Sequence, residues 1–270
     1  MKYLFALLLI YFNHAVYSQP VKDTSVYKVT YLFKHMTDTA HPEIFREENM
    51  VLYLGKRMNQ YSSIDNHRKD SLAKKQLEEG NRLVINTTGK KTTSTKFFTD
   101  NVTKTCIQNE TLLKPYFFEE SYPSIEWRIT PSVKTIGNWT CTKAEGHFKG
   151  RDYEAWFTTE IPATGGPWKL VGLPGVVLEA YDTKKQVLFV HTSIENNNAA
   201  KFVINPEPEN GIKTTKTDFV NMREAARNDP MGFINATASE MGSGIKLSSG
   251  SSSGNFKPKK PTNPVELNEE

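Results

Sequence analysis

Apolar and polar residues alternate between Val26 and Lys34. Tyr27, Val29, Tyr31 and Phe33 fall on one side, and Lys28, Thr30 and Lys34 on the other. A period of two is that of a strand with one buried face. Shorter runs rich in β-branched and aromatic residues predict further strands over residues 50–54, 58–64, 82–86, 95–98, 102–108, 116–120, 125–129, 139–148, 153–159, 176–181 and 186–194, with an edge strand over 201–205. Helical spacing occurs over 67–79, where Leu72, Ala73, Gln76 and Leu77 share a face ahead of Gly80. It recurs from Phe219 to Ala226, with Thr217 or Asp218 as cap and Asp229-Pro230 as stop, and a weaker helical piece follows over 231–238. Strands at this spacing, without a βαβ rhythm, predict a mainly β chain. The expected architecture is a curved antiparallel sheet or partly closed half-barrel with one or two helices and no parallel sheet.

One stretch breaks the alternation. Between Ala163 and Gly175 the chain is dense in Gly, Pro, Trp and aliphatic residues at once: Gly165, Gly166, Pro167, Trp168, Leu170, Val171, Gly172, Leu173, Pro174 and Gly175. Each proline fixes φ and removes a donor, so this piece is stiff and neither strand nor helix. Pro174-Gly175 suits the centre of a type II turn, with φ above zero at Gly175. Strand patterns flank it on both sides, so it joins two antiparallel hairpins. It is then either a plug beneath a curved sheet or the wall of an apolar ligand site. On the second reading the ligand-binding residues are Trp168, Leu170, Leu173, Pro174 and Gly175, with Trp156 from the preceding strand.

In order, Ile136-Gly137-Asn138-Trp139-Thr140-Cys141-Thr142-Lys143-Ala144, Phe148-Lys149-Gly150-Arg151, Ala155-Trp156-Phe157-Thr158, Glu160-Ile161-Pro162, Gly166-Pro167-Trp168-Lys169 and Gly172-Leu173-Pro174-Gly175 resemble the motifs of the GLPGLI family of exported Bacteroidetes proteins. Val176-Val177 stand where the family name has Leu-Ile, which keeps apolar, strand-compatible side chains. The resemblance is firmest from about Trp127 to Ile194 and returns at Asn263-Pro264-Val265-Glu266-Leu267. It implies an exported protein and no particular reaction.

The N-terminus agrees with export. Lys2, the apolar run Leu4–Phe12 and Val16-Tyr17-Ser18 have the layout of a signal peptide over 1–18, cut after Ser18. The run is shorter than the roughly 20 residues of a membrane span, and no transmembrane segment is expected after cleavage. The expected place is the periplasm or cell envelope, or outside the cell. Residues 19–247 then form a single β-rich domain. Residues 248–270, opening with Ser248-Ser249-Gly250-Ser251-Ser252-Ser253-Gly254, read as a flexible tail dispensable for folding.

The net charge of +4, from 34 basic and 30 acidic residues, is spread thinly and has no aromatic platform for bases, so nucleic acid is not an expected partner. Cys106 and Cys141 are the two cysteines. In an oxidising compartment they are expected to pair, a bond worth about 4 kcal/mol in the chain-entropy picture, the alternative being two buried thiols. The sequence has no nucleophile elbow, phosphate loop, zinc-protease helix or Cys-x-x-Cys pair. No cofactor or metal is expected. His147 and His191 could be neighbours on strands, but neither stands at ligand spacing from another histidine. Asp152, Glu160 and Glu179 flank the central stretch, with Arg151 as an ion-pair partner for one of them.

Three functional readings follow. The first is a non-enzymatic module that holds an apolar or lipid-like ligand. The second is an interaction protein with an envelope partner. The third is a hydrolase using Glu160 or Asp152.

Overall fold

The computed structural model describes residues 22–68, 71, 75, 92–196, 201–240 and 262–267. The expected signal peptide, most of the helix over 67–79, the strand over 82–86 and the Ser/Gly run at 248–254 lie outside them. The strands are β1 (Asp23–His35), β2 (Arg46–Gly55), β3 (Met58–Ser63), β4 (Lys96–Asp100), β5 (Thr105–Leu112), β6 (Lys114–Ser121), β7 (Arg128–Ile136), β8 (Trp139–Phe148), β9 (Arg151–Thr158), β10 (Val176–Asp182), β11 (Val187–Asn196), β12 (Val203–Ile204) and β13 (Ile212–Lys213). Helices α1 (Lys216–Asn228) and α2 (Pro230–Glu240) follow. The chain is mainly β, as its alternation predicts. Among the described residues no helix is long and apolar enough to cross a membrane.

Local chemistry explains the elements. In β1 the alternation buries Val29, Tyr31, Phe33 and His35 on one face. Between β8 and β9, Phe148 pairs with Arg151 across two residues, Lys149 and Gly150, whose φ values are 51° and 76°. Two central residues with φ above zero make the turn type whose twist matches a hairpin. At α1 the cap is Thr215, which accepts from the Asp218 amide at 3.1 Å, so the helix starts earlier than Thr217 or Asp218 would place it. Its Phe219 packs on Tyr116 and Phe118 of β6.

The strands form one sheet in the order β13-β6-β5-β4-β3-β2-β1-β11-β10-β9-β8-β7, with β12 pairing β1. The pairs are antiparallel except β13 with β6, which is parallel. No crossover helix of the βαβ kind was needed for that pair, because the chain from Ser121 to Ile212 is long enough to bring β13 back in the same sense. The sheet is strongly curved. Trp168 packs against Phe148 of β8, while Lys169 reaches Glu120 of β6 at 2.6 Å. These strands stand nine places apart in the order, which would be roughly 43 Å in a flat sheet at about 4.8 Å per strand. Adjacent residues can touch both only if the sheet wraps around the segment that carries them.

The structure differs from two expectations here. Cys106 and Cys141 are both buried and both free. They sit on β5 and β8, with seven strands between them in the sheet order. Burial pushes the thiols up, to about 12 at Cys106 and about 11 at Cys141, so neither is a reactive thiolate. The tail is not wholly separate either. Residues 262–267 pack on the body, where Asn263 is buried and Val265 joins the edge of the main core.

Candidate functional site

The segment between β9 and β10 lies inside the curve of the sheet and is held along its length. Asn59 Nδ2 donates to the Thr164 carbonyl at 3.0 Å, Trp127 Nε1 to the Val171 carbonyl at 2.8 Å, and the Tyr31 hydroxyl to the Val177 carbonyl at 2.6 Å. Gly165 bonds to Gly175, and Val177 to Gly165, across the neck of the loop. Within it, the Leu170 amide donates to the Pro167 carbonyl at 3.0 Å, closing a tight turn. Trp168 occupies the second position of that turn with φ of 54°. Glycine is the ordinary residue there. A tryptophan in that conformation carries strain of about 1–3 kcal/mol. Packing offsets it: the indole lies nearly parallel to Phe189, with centroids 6.4 Å apart, and meets Phe148 edge-on at 5.6 Å.

The next residue is a buried cation. Lys169 Nζ lies 2.6 Å from Glu120 and 2.7 Å from Glu266. Burial works against its charge, but Glu266 and Glu120 outweigh that and hold its pKa above the ordinary lysine value. Burial likewise opposes the charged form of Glu120, and its bonds to Lys169 and Lys216 carry it below the usual carboxylate range.

Beside Trp168 opens a cleft of about 900 Å³. Its walls carry six aromatic rings, from Phe33, Phe45, Tyr61, Phe97, Trp168 and Phe189. Polar groups sit among them. Arg46 Nη2 donates to Glu48 at 2.9 Å, and the wholly buried Glu48 also accepts from the Thr93 amide and hydroxyl. His35 is driven down to about 4, chiefly by burial, so the ring is neutral near pH 7. Its Nε2 therefore donates to the Asn263 carbonyl, at 2.7 Å. Thr262, Pro264 and Val265 of the C-terminal segment complete one wall.

Of the residues singled out from sequence, Trp168 lines this cleft. Leu170 and Leu173 are buried in the core behind it, with exposures of 0% and 5%. Pro174 is exposed and Gly175 buried. Gly175 does not have the positive φ that a type II turn required; Gly172 has, at 99°. What makes glycine necessary at Gly175 is space, because a Cβ there would stand 2.1 Å from the Thr158 carbonyl oxygen. Trp156 alternates away from Tyr153 to the other face of β9, where Lys134 lies over its ring at 4.4 Å and Tyr181 meets its indole nitrogen at 3.4 Å.

The acids do not converge. Asp152 is exposed and bonds His147 at 2.7 Å, Glu160 accepts from the Thr140 amide, and Glu179 pairs with Lys134. None of the three lines the cleft. Arg151 pairs instead with Asp182. Among the described residues no group of three or more His, Cys, Asp or Glu side chains could hold a metal ion. Sequence reasoning missed Phe45, Arg46, Tyr61, Phe97 and Phe189 as a set. They come from four separate strands and one loop, and nothing local marks them as neighbours. The β1 alternation did put Phe33 on an inner face.

A family model described as "Protein of unknown function (Porph_ging)" matches residues 146–179, from the end of β8 through β9 and the central segment into β10. No curated protein matches the chain. Among solved structures, PNGF-II in space group C2 and again in P21 has a similar fold, each with a TM-score of 0.55 and 13% identity over 76% of this chain. The chain spans about a third of the PNGF-II chains, 33% and 34%. At that identity the likeness concerns the fold.

Proposed function

We propose that this chain is an exported binding module that holds an apolar or lipid-like small molecule in the aromatic cleft beside Trp168. The observation that carries the reading is the cleft itself: about 900 Å³, walled by six aromatic rings, against a residue held in a strained backbone. That volume lies within the usual 300–1,000 Å³ of small-molecule sites. Export rests on the signal-peptide pattern and on the resemblance to GLPGLI proteins; the family model that matches residues 146–179 is one of unknown function. Trp168 lines the cleft from a ring already fixed against Phe189 and Phe148, so little ordering is left for the ligand to impose.

The test is titration with a fluorescent polyene fatty acid. Saturable one-to-one binding is expected, with energy transfer from Trp168. Phe45→Arg places a charge at a half-buried wall position and is expected to weaken binding at least about tenfold without unfolding the chain. Absence of saturable binding, or equal binding by the Phe45 variant, would leave the segment as core alone.

A further inference from the structure

The C-terminal segment is held by a surface that reads its sequence. Asn263 is buried, and all four of its polar groups are used. Its amide donates to the Thr37 carbonyl at 3.2 Å and its Nδ2 to the Met36 carbonyl at 2.7 Å. Its Oδ1 accepts from Arg151 Nη2 at 2.6 Å, and its carbonyl accepts from His35 at 2.7 Å. Aspartate there would turn an acceptor toward the Met36 carbonyl, and an aliphatic residue would strand both that carbonyl and Arg151. Pro264 has no N–H to satisfy, and its carbonyl takes Arg151 Nη2 at 2.7 Å. The Val265 carbonyl accepts from Arg151 Nε at 3.0 Å, Glu266 meets Lys169 at 2.7 Å, and the Leu267 amide donates to the Lys149 carbonyl at 3.0 Å.

Every one of these partners belongs to the end of β1, the β8–β9 turn or the central segment. Recognition among the described residues is thus carried by six residues and a groove, and a tether of any kind adds effective concentration. We propose that the groove formed by residues 35–37, 149–151 and Lys169 is a peptide-recognition site. Its ligand class is a peptide of the form Asn-Pro-aliphatic-Glu-aliphatic, occupied here by the chain's own segment and able to take the same sequence in trans. This site is separate from the small-molecule reading. It shares a wall with the cleft, but it stands whether or not the cleft holds a ligand.

The test uses the whole chain with a protease recognition sequence placed in the Ser/Gly run at 248–254, cut after purification. Native mass spectrometry of the cut protein is expected to show both pieces still associated. A labelled synthetic peptide of residues 262–267 should then exchange with the released piece. Peptides carrying Asn263→Asp or Glu266→Lys should compete at least about tenfold more weakly, the loss of one or two charge-assisted bonds. Because specificity is read with altered peptides, the body is never mutated. Three outcomes would overturn the proposal: the body unfolds when the piece leaves, the piece leaves and no peptide rebinds, or the altered peptides compete as well as the native one.

Discussion

Arg151 Nη1 donates to Asp182 Oδ2 at 2.7 Å, and both side chains are 2% exposed. The pair is fully employed. The other Asp182 oxygen accepts from the Gln186 and Val187 amides, fixing the turn between β10 and β11. The remaining guanidinium donors go to Gln186, Asn263, Pro264 and Val265. One arginine thus joins β9, the β10–β11 turn and the C-terminal segment.

Removing either partner leaves a buried charge unpaired. Arg151→Ala and Asp182→Ala are each expected to destabilise the fold by about 3–5 kcal/mol. Arg151→Ala is expected also to free residues 262–267. Urea unfolding would measure the first effect and limited proteolysis the second. A loss below about 1 kcal/mol for both variants would mean the pair is not buried as described.

Ending the chain after residue 261 should matter for stability. Truncation strands Arg151 donors, the Met36 carbonyl and Lys169, and should cost at least about 2 kcal/mol at roughly one per lost bond. In a chain of this size that corresponds to a fall of about 5 °C or more in melting temperature. Calorimetry of the truncated and full chains tests it, and an unchanged temperature would restore the reading of a dispensable tail.

His35 makes stability depend on pH. Its pKa falls from an ordinary 6.5 to about 4, because burial and the nearby Arg151 and Arg46 charges outweigh the bond to Asn263. The unfolded chain therefore binds the proton more readily between those values. The contribution is complete above about pH 6.5 and is lost as pH falls through about 4. It is on the order of 3 kcal/mol. Unfolding free energies at pH 7 and pH 4.5, compared with those of His35→Gln, isolate it: the variant should show a shallower acid loss.

Gly175→Ala and Gly172→Ala separate two reasons for glycine. At Gly175 the added methyl collides with backbone of β9, which cannot yield, and a loss of about 3 kcal/mol is expected. At Gly172 the neighbours, on Trp127, stand at 3.6 Å or beyond, and the φ of 99° is the obstacle, so about 1 kcal/mol is expected. Equal effects, by thermal or chemical melts, would remove the distinction.

The alternation of Val29, Tyr31 and Phe33, the Lys149-Gly150 turn, and the stop at Asp229-Pro230 are local facts, and they were enough for mainly β architecture, the two hairpins around the central segment and a C-terminal helix. Composition likewise marked Ala163 to Gly175 as neither strand nor helix. What the sequence alone did not determine was everything that depends on which strands lie beside one another. Curvature brings Trp168 and Lys169 into reach of both β8 and β6, while Cys106 and Cys141 remain unbonded with seven strands between them. The cleft gathers Phe45, Phe97 and Phe189 from distant parts of the chain, and periodicity carries no information about such a meeting. The C-terminal segment shows the limit most directly. Its Ser/Gly approach and few apolar groups read as a loose tail, because burial by side chains was the only stabilisation visible in its composition. Its docking comes instead from Asn263 and Glu266 satisfying Arg151 and Lys169, cations that only the tertiary structure buries and leaves in need of partners.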